Sequence, residues 1–197
     1  APREVAERGL LIADLPANKG MVICLLQQMA EELEPDARPS EIVHRRGRVL
    51  SSWEQSSKFS AAAVFPKIVF LMVFEELYQM TVPVLVPRYL TRHMFVHWFT
   101  QQNTPGSQRT TYDPLFPSTY DSLAFAEWFR RPLVGKFDSL ADLLDLTSRA
   151  RMGELAETRK KLREENALGR RKILTYWGHK LLAISAGGND LTKNRSI

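Results

Sequence analysis

Cysteine is nearly absent from this chain of 197 residues, because Cys24 is the only one. A single thiol excludes an intrachain disulfide and a site built from several thiolates, and it fits a reducing compartment. The sequence also lacks a glycine-rich phosphate loop and a nucleophile elbow. The adjacent glycines of "SAGGND" (185–190) follow a helical segment instead of preceding one. We therefore expect no catalytic residues, no cofactor and no enzymatic activity.

Positive charge is only slightly in excess. The chain has 27 Lys and Arg against 22 Asp and Glu, which gives a formal charge of +5 and a pI near 9.5. Such a balance suits an anionic partner such as RNA or an acidic lipid surface, although the interspersed carboxylates weaken the field. The chain begins with neither Met nor a secretory apolar region, as expected for a mature chain whose targeting peptide has been removed.

Strand patterns are also scarce. No segment alternates between apolar and polar residues for long, and Pro83 and Pro87 interrupt the β-branched cluster between them. We therefore expect an all-α fold, with short helices around one apolar helical segment at 65–86. The expected regions are an N-terminal helical region, an apolar segment with a basic stretch, a loop and a helical C-terminal region, at 1–58, 59–100, 101–117 and 118–197.

Several helices are predicted from periodicity and capping. One lies within 21–39, where prolines stop it, and another follows Ser40 through residue 55. Ser139 begins a helix with Asp142 in the capping-box position. A charged helix at 149–170 precedes one with an apolar stripe that ends at Gly187 and Gly188; the stripe contains Ile173, Leu174, Trp177, Leu181 and Ile184.

The apolar stretch at 59–87 has two interpretations that the pattern leaves open. It is long enough to cross a bilayer, since about 20 helical residues span roughly 30 Å. Glu75 and Glu76 fall near its middle, where each charge costs on the order of 2.5–3.5 kcal/mol. An embedded segment therefore requires that these carboxylates face protein partners. The alternative is a buried helix pair hinged near Pro83.

Residues 59–99 resemble the membrane-proximal segment of the LETM family of mitochondrial inner-membrane proteins, and the smaller LETM-domain-containing members above all. The shared features are a phenylalanine-proline pair, an acidic residue within the apolar run, a proline-valine pair and a proline-led basic stretch. In this chain they are Phe65, Pro66, Glu75 or Glu76, Pro83, Val84, Pro87, Arg88, Leu90, Arg92 and His93. The resemblance implies an inner-membrane location, a crossing or half-buried segment at 65–86 and a helical remainder facing the matrix.

Function is expected to follow from this resemblance. The first hypothesis is a non-catalytic accessory subunit of a respiratory-chain complex in the mitochondrial inner membrane, with Glu75 and Glu76 facing partner subunits. The alternative is a mitochondrial ribosome-associated protein that binds RNA or tethers the ribosome to the membrane. The basic charge and the helix at 149–172 motivate this alternative, although a mixed-charge helix is more often a solvated surface.

The basic and aromatic stretch at 86–100 admits three interpretations. His93 and His97 are four residues apart, as in paired metal ligands, but no third ligand has a recognisable spacing, so we expect no metal. Single-strand RNA binding would use the cations and aromatic rings of the same stretch. The favoured interpretation is an interfacial anchor on anionic phospholipid; its residues are Arg88, Tyr89, Arg92, His93 and Trp98.

Overall fold

Five parallel strands form the centre of the fold. The computed structural model describes residues 8–14, 19–44, 53–65, 72–88 and 127–191. The strands are β1 (Arg8–Asp14), β2 (Ile42–His44), β3 (Phe59–Val64), β4 (Val84–Pro87) and β5 (Gly135–Phe137). The helices are α1 (Lys19–Glu31), α2 (Trp53–Ser56), α3 (Met72–Gln79), α4 (Glu127–Arg130), α5 (Leu140–Leu146) and α6 (Met152–Leu191). Short 3-10 turns lie at Pro35–Ala37 and Arg149–Arg151.

The strand order in the sheet is β2-β1-β3-β4-β5, and every pair is parallel. β2 therefore lies on one side of β1, and β3, β4 and β5 follow in chain order on the other side. Gly9 in β1 packs closely against the backbone before β2. Any residue with a Cβ at this position would place that atom 2.2 Å from the backbone oxygen of Glu41. The same backbone oxygen accepts a hydrogen bond from the Leu10 N–H at 2.8 Å.

Helices cover both faces of the sheet. On one face α3 buries Phe74, Leu77 and Tyr78 against Val84 and Val86, together with other strand residues. On the other face α1 and α5 pack on side chains that alternate with these along the strands; the helix residues are Leu26, Ala30, Leu143 and Leu144. Helices on both faces are the usual cover of a parallel sheet, whose strands are consequently apolar throughout.

The first part of α6 joins the two faces. Leu155 belongs to the apolar cluster that contains α1 and α5, whereas Leu162 belongs to the cluster that contains α3. Between them, Arg159 donates hydrogen bonds to the backbone oxygens of Ser57, at 2.9 Å, and Phe59. These two residues lie at the start of β3, so this part of α6 crosses the amino edge of the sheet.

The expected all-α fold is wrong, because the described chain is α/β. Segment 65–86 is not one apolar helix: Phe65 follows β3, α3 has eight residues, and Val84–Pro87 is a strand. Strands buried on both faces are apolar without alternation, and a buried helix has the same appearance in the sequence. No described helix is both long enough and apolar enough to span a membrane.

Two other expectations about elements require correction. The region at 1–58 contains β1 and β2. Where a helix was expected after Ser40, the described residues form β2 and the four-residue α2, and residues 45–52 lie outside the described part of the chain. The two helices expected beyond residue 149 form one helix, α6, which continues past Gly187 and Gly188 to Leu191. The loop expected at 101–117 and the start of the helical region expected at 118–197 lie outside the described residues, which resume at Glu127.

The chain divides into two compact units, residues 1–162 and 163–197. The first contains the whole sheet and the part of α6 that packs on it. In the second, the described side chains of residues 170–185 are almost all exposed.

Candidate ligand site at the carboxyl edge of the sheet

The carboxyl ends of the five strands meet at one edge, because all the strands are parallel. In open α/β sheets this edge is where ligands bind, at the point where the strand order reverses. The reversal lies between β1, which leads to β2 on one side, and β3, which leads to β4 on the other. Helix α1 begins at Lys19, shortly after β1 ends at Asp14. Residues 15–18 lie outside the described part of the chain.

An ion pair marks this edge beside β4 and β5. Arg88 directly follows β4, and its Nε donates to Oδ1 of Asp138, the residue after β5, at 2.8 Å. The Arg88 backbone N–H also donates to the Phe137 backbone oxygen at 2.8 Å. The Arg88 and Asp138 side chains are 47% and 53% exposed. Among the described residues no partner is seen for the two terminal guanidinium nitrogens, so they can receive an anion.

Packing beneath the ion pair holds it in position. Phe65 and Phe137, at the ends of β3 and β5, are buried and meet edge to face with ring centroids 5.6 Å apart. Ser139 caps α5 by accepting from the Asp142 N–H at 3.1 Å, and Asp142 accepts from the Asp138 N–H at 2.8 Å. The backbone at Asp138 is therefore fixed by both the strand and the helix cap.

The amino edge of the sheet is covered by helix α6 beneath β3. Arg159 lies across it, buried, with its guanidinium bonded to the backbone oxygens of Ser57 and Phe59. Burial lowers the pKa of Arg159, but a guanidinium remains protonated at any physiological pH. Helix α6 thus covers the amino edge beneath β3.

Glu75 is paired within the chain. Its two carboxylate oxygens accept from Nε and Nη2 of Arg131, at 3.1 and 3.0 Å. The Arg131 guanidinium also lies 5.4 Å from the ring centroid of Tyr78, whose hydroxyl donates to the Pro132 backbone oxygen at 3.0 Å. This arrangement joins α3 to the turn before β5. Glu75 therefore has an ion-pair partner within its own chain.

The remaining residues predicted to act are only partly described. Glu76 is half-buried on α3, and its contact with another subunit stays a prediction. Arg88 is described, at the carboxyl edge. Tyr89, Arg92, His93, His97 and Trp98 lie outside the described residues, so the interfacial anchor and the alternatives to it stay predictions.

No protein family, curated protein or solved structure matches the chain in the comparisons with known proteins. The resemblance to the LETM family is therefore neither supported nor opposed. The class that the fold defines is an open, doubly wound α/β domain.

The roles of three charged residues, Arg131, Asp138 and Arg159, were not predicted from the sequence. Asp138 and Arg131 stand in short turns beside β5, and no pattern distinguishes them before the strand is known. Arg159 had a signal: it lies between Leu155 and Leu162, which are seven residues apart and mark the buried side of α6. The surrounding charges of the same helix concealed it.

Proposed function

We propose that the chain is a ligand-binding α/β domain that holds a phosphate-bearing small molecule of mononucleotide size at the carboxyl edge of its sheet. The observation behind the proposal is the reversal of strand order between β1 and β3, with α1 and α3 on opposite faces. Sheets of this order bind ligands outside the carboxyl ends of the strands at the reversal. The step from architecture to ligand is a fold-level analogy.

Charge at the edge supports an anionic ligand. Arg88 presents two terminal nitrogens, and a guanidinium fork matches the oxygens of a phosphate. Asp138 uses one carboxylate oxygen on Arg88, and its other oxygen is an acceptor suited to a ribose hydroxyl. The net charge of +5 favours the approach of an anion.

The segment between β1 and α1 limits the ligand class. Its sequence, "LPAN" (15–18), contains no glycine and so lacks the fingerprint that cradles a dinucleotide pyrophosphate. A mononucleotide or a sugar phosphate is therefore preferred over a dinucleotide. Turnover of the ligand is not part of the proposal, and the expectation of a non-catalytic protein stays a prediction.

The accessory-subunit hypothesis and its ribosome-associated alternative also stay predictions. The embedded helix at 65–86 motivated the first of them, and that helix has been replaced by α3 and β4. The binding proposal does not depend on which compartment contains the protein.

The test is a binding screen on the full chain with ADP, UDP, GDP, NAD and inorganic phosphate, using thermal shift followed by equilibrium dialysis. We expect at least one mononucleotide to raise Tm and to bind with a Kd below about 1 mM, which corresponds to roughly 4 kcal/mol. Arg88→Gln should weaken that ligand about tenfold, since a charge-assisted bond is worth roughly 1.5 kcal/mol or more.

Lys58→Gln is the matched control. Lys58 is also a half-exposed cation with one carboxylate partner, Glu54 at 3.8 Å, but it directly precedes β3 at the amino edge. Its removal should leave the affinity within about twofold. Failure of every compound to bind would overturn the proposal, and so would an equal loss of affinity in the two variants.

A further inference from the structure

The second unit displays an apolar surface on α6. Seven large side chains of residues 173–184 are each more than half exposed: Ile173, Leu174, Tyr176, Trp177, Leu181, Leu182 and Ile184. Exposed apolar residues in such density on one helix indicate a surface that something else covers.

Most of these side chains share one side of the helix. At about 100° per residue, Ile173, Ile184, Trp177, Leu181 and Leu174 follow one another within an arc of roughly 100°. Leu182 lies on the other side, about 80° beyond the nearest edge of this arc. We call the five residues within the arc the apolar face of α6.

The charged side chains of the segment 170–185 are all positive. Residues 170–185 contain Arg170, Arg171, Lys172 and Lys180 and no Asp or Glu, whereas the whole chain nearly balances cations and carboxylates. Arg171 and Lys172 lie about 60° and 100° outside the apolar face, whereas Arg170 lies within its arc, at the amino-terminal end of the segment. Lys180 stands at its border, with Nζ 5.7 Å from the ring centroid of Tyr176. Tyr176 in turn meets Trp177 edge to face at 5.6 Å.

We propose that residues 170–185 of α6 bind the surface of a membrane that contains anionic phospholipid, with the apolar face in the interface and the cations toward the headgroups. A helix with Trp and Leu on one side, three of its four cations outside that side and no carboxylate has the composition of interfacial helices. Tyr and Trp prefer the headgroup level, and each cation near an anionic surface adds attraction.

The site differs from the one expected at 86–100 and from the ligand site at the carboxyl edge. It also requires no membrane-spanning helix, since an interfacial helix lies in the plane of the membrane surface.

The experiment is flotation of the full chain with vesicles of phosphatidylcholine alone or with phosphatidylserine added. We expect binding to the anionic vesicles, weakened by salt, and little binding to the neutral ones. Tryptophan emission should shift to the blue on binding, and Trp177→Phe should remove that shift.

Neighbouring leucines provide the matched pair of variants. Leu181→Gln, on the apolar face, should weaken vesicle binding about tenfold, the effect of keeping one leucine out of the apolar phase. Leu182→Gln should change it less than about twofold, although its side chain is as exposed, 69% against 62% for Leu181. Arg171→Gln with Lys172→Gln should weaken binding to anionic vesicles.

Three outcomes would overturn the proposal: no vesicle binding, equal binding to neutral and anionic vesicles, or equal effects of the two leucine changes. Self-association that Leu181→Gln abolishes, without any vesicle binding, would assign the face to a second copy of the chain instead. Far-UV circular dichroism of each variant verifies that the helix is retained.

Discussion

Among the described residues, Thr81 and Leu133 are the two non-glycine residues with a left-handed backbone, and Thr81 is the β-branched one, for which this conformation is least favourable. Its φ is 63°, in the left-handed region. Here α3 ends in a Schellman motif, because the Thr81 N–H donates to the Tyr78 oxygen at 2.9 Å and the Val82 N–H to the Leu77 oxygen at 3.0 Å. Glycine is the usual residue at this position, since it has no Cβ to oppose the conformation.

Thr81→Gly should therefore stabilise the protein. Relief of left-handed strain, about 1–2 kcal/mol, exceeds the entropy that glycine adds to the unfolded chain, so a net gain of roughly 0.5–1 kcal/mol is expected. Denaturant unfolding measures it. Thr81→Ala retains the strain and should give no gain; if both variants behave alike, the explanation from strain fails.

Arg159 is the residue on which the attachment of α6 to the sheet depends. Arg159→Met removes both hydrogen bonds to the start of β3 and leaves two backbone oxygens short of a donor. We expect a loss of about 2–3 kcal/mol in the free energy of unfolding. Lys160→Met, at the exposed neighbouring position, should stay within about 0.5 kcal/mol. Similar losses in the two variants would show that Arg159 has no special role.

At the scale of elements, the pair Glu75 and Arg131 connects α3 with the turn that leads into β5. Both side chains are partly exposed, 20% and 39%, so solvent reduces the worth of the ion pair. A double-mutant cycle with Glu75→Gln and Arg131→Gln should give a coupling of about 1 kcal/mol. A coupling near zero would mean that the bidentate geometry contributes nothing to stability.

The cap of α5 should be worth a similar amount. Ser139→Ala removes the acceptor of the Asp142 N–H, and about 1 kcal/mol should be lost in thermal unfolding. Ser139→Asp preserves a capping oxygen and should restore most of the stability. Without that restoration, the loss would have to come from something other than the cap.

The elements that the sequence predicted well are those with an unambiguous local signal. The helix expected within 21–39 is α1, which ends at Glu31 before Pro35, and the Ser139 cap begins α5 as expected. Asp142 departs slightly from the predicted capping box, because it accepts from the Asp138 N–H and not from that of Ser139. Glu157 and Lys161 are four residues apart on α6 and form an ion pair at 3.7 Å, as opposite charges at this helical spacing usually do.

The strands could not be recognised in the same way. β3 contains Ala61, Ala62 and Ala63, all fully buried, and alanine favours a helix when it is considered alone. β4 is short; Pro83 precedes it and Pro87 is its last residue. Pro83 and Pro87 are tolerated because they stand at its two ends, where a missing N–H interrupts few ladder bonds. The long-range pairing that makes these segments strands is not visible in local sequence, and the carboxyl-edge site depends on that pairing.

At the scale of the whole molecule, α6 belongs partly to the unit that contains the sheet and partly to the second unit, and truncation can separate the two parts. Leu155, Arg159 and Leu162 belong to the unit that contains the sheet, whereas the exposed part of the helix lies beyond residue 169. A chain that ends at residue 169 should unfold cooperatively with Tm within about 5 °C of the full chain, and it should bind anionic vesicles more weakly than the full chain does.

A chain that ends at residue 151 is the comparison for this truncation. It loses two core leucines and Arg159, and a loss of several kcal/mol is comparable with the total stability of a small domain. We expect it to lack a cooperative thermal transition by circular dichroism. A stable fold without residues 152–169 would mean that α6 is dispensable for the sheet.

The short outer strands protect the molecule from sheet-to-sheet aggregation. β2 and β5 have three residues each, whereas β1 and β3, in the interior of the sheet, have seven and six. An outer strand of three residues offers few unpaired backbone groups to a strand of another molecule, so fibril-like growth gains little there. β1 and β3 are longer and apolar, and at an edge they would pair with strands of other molecules far more readily. Mutations that detach β2 should therefore matter for solubility more than for ligand binding, because they expose β1 as a new edge.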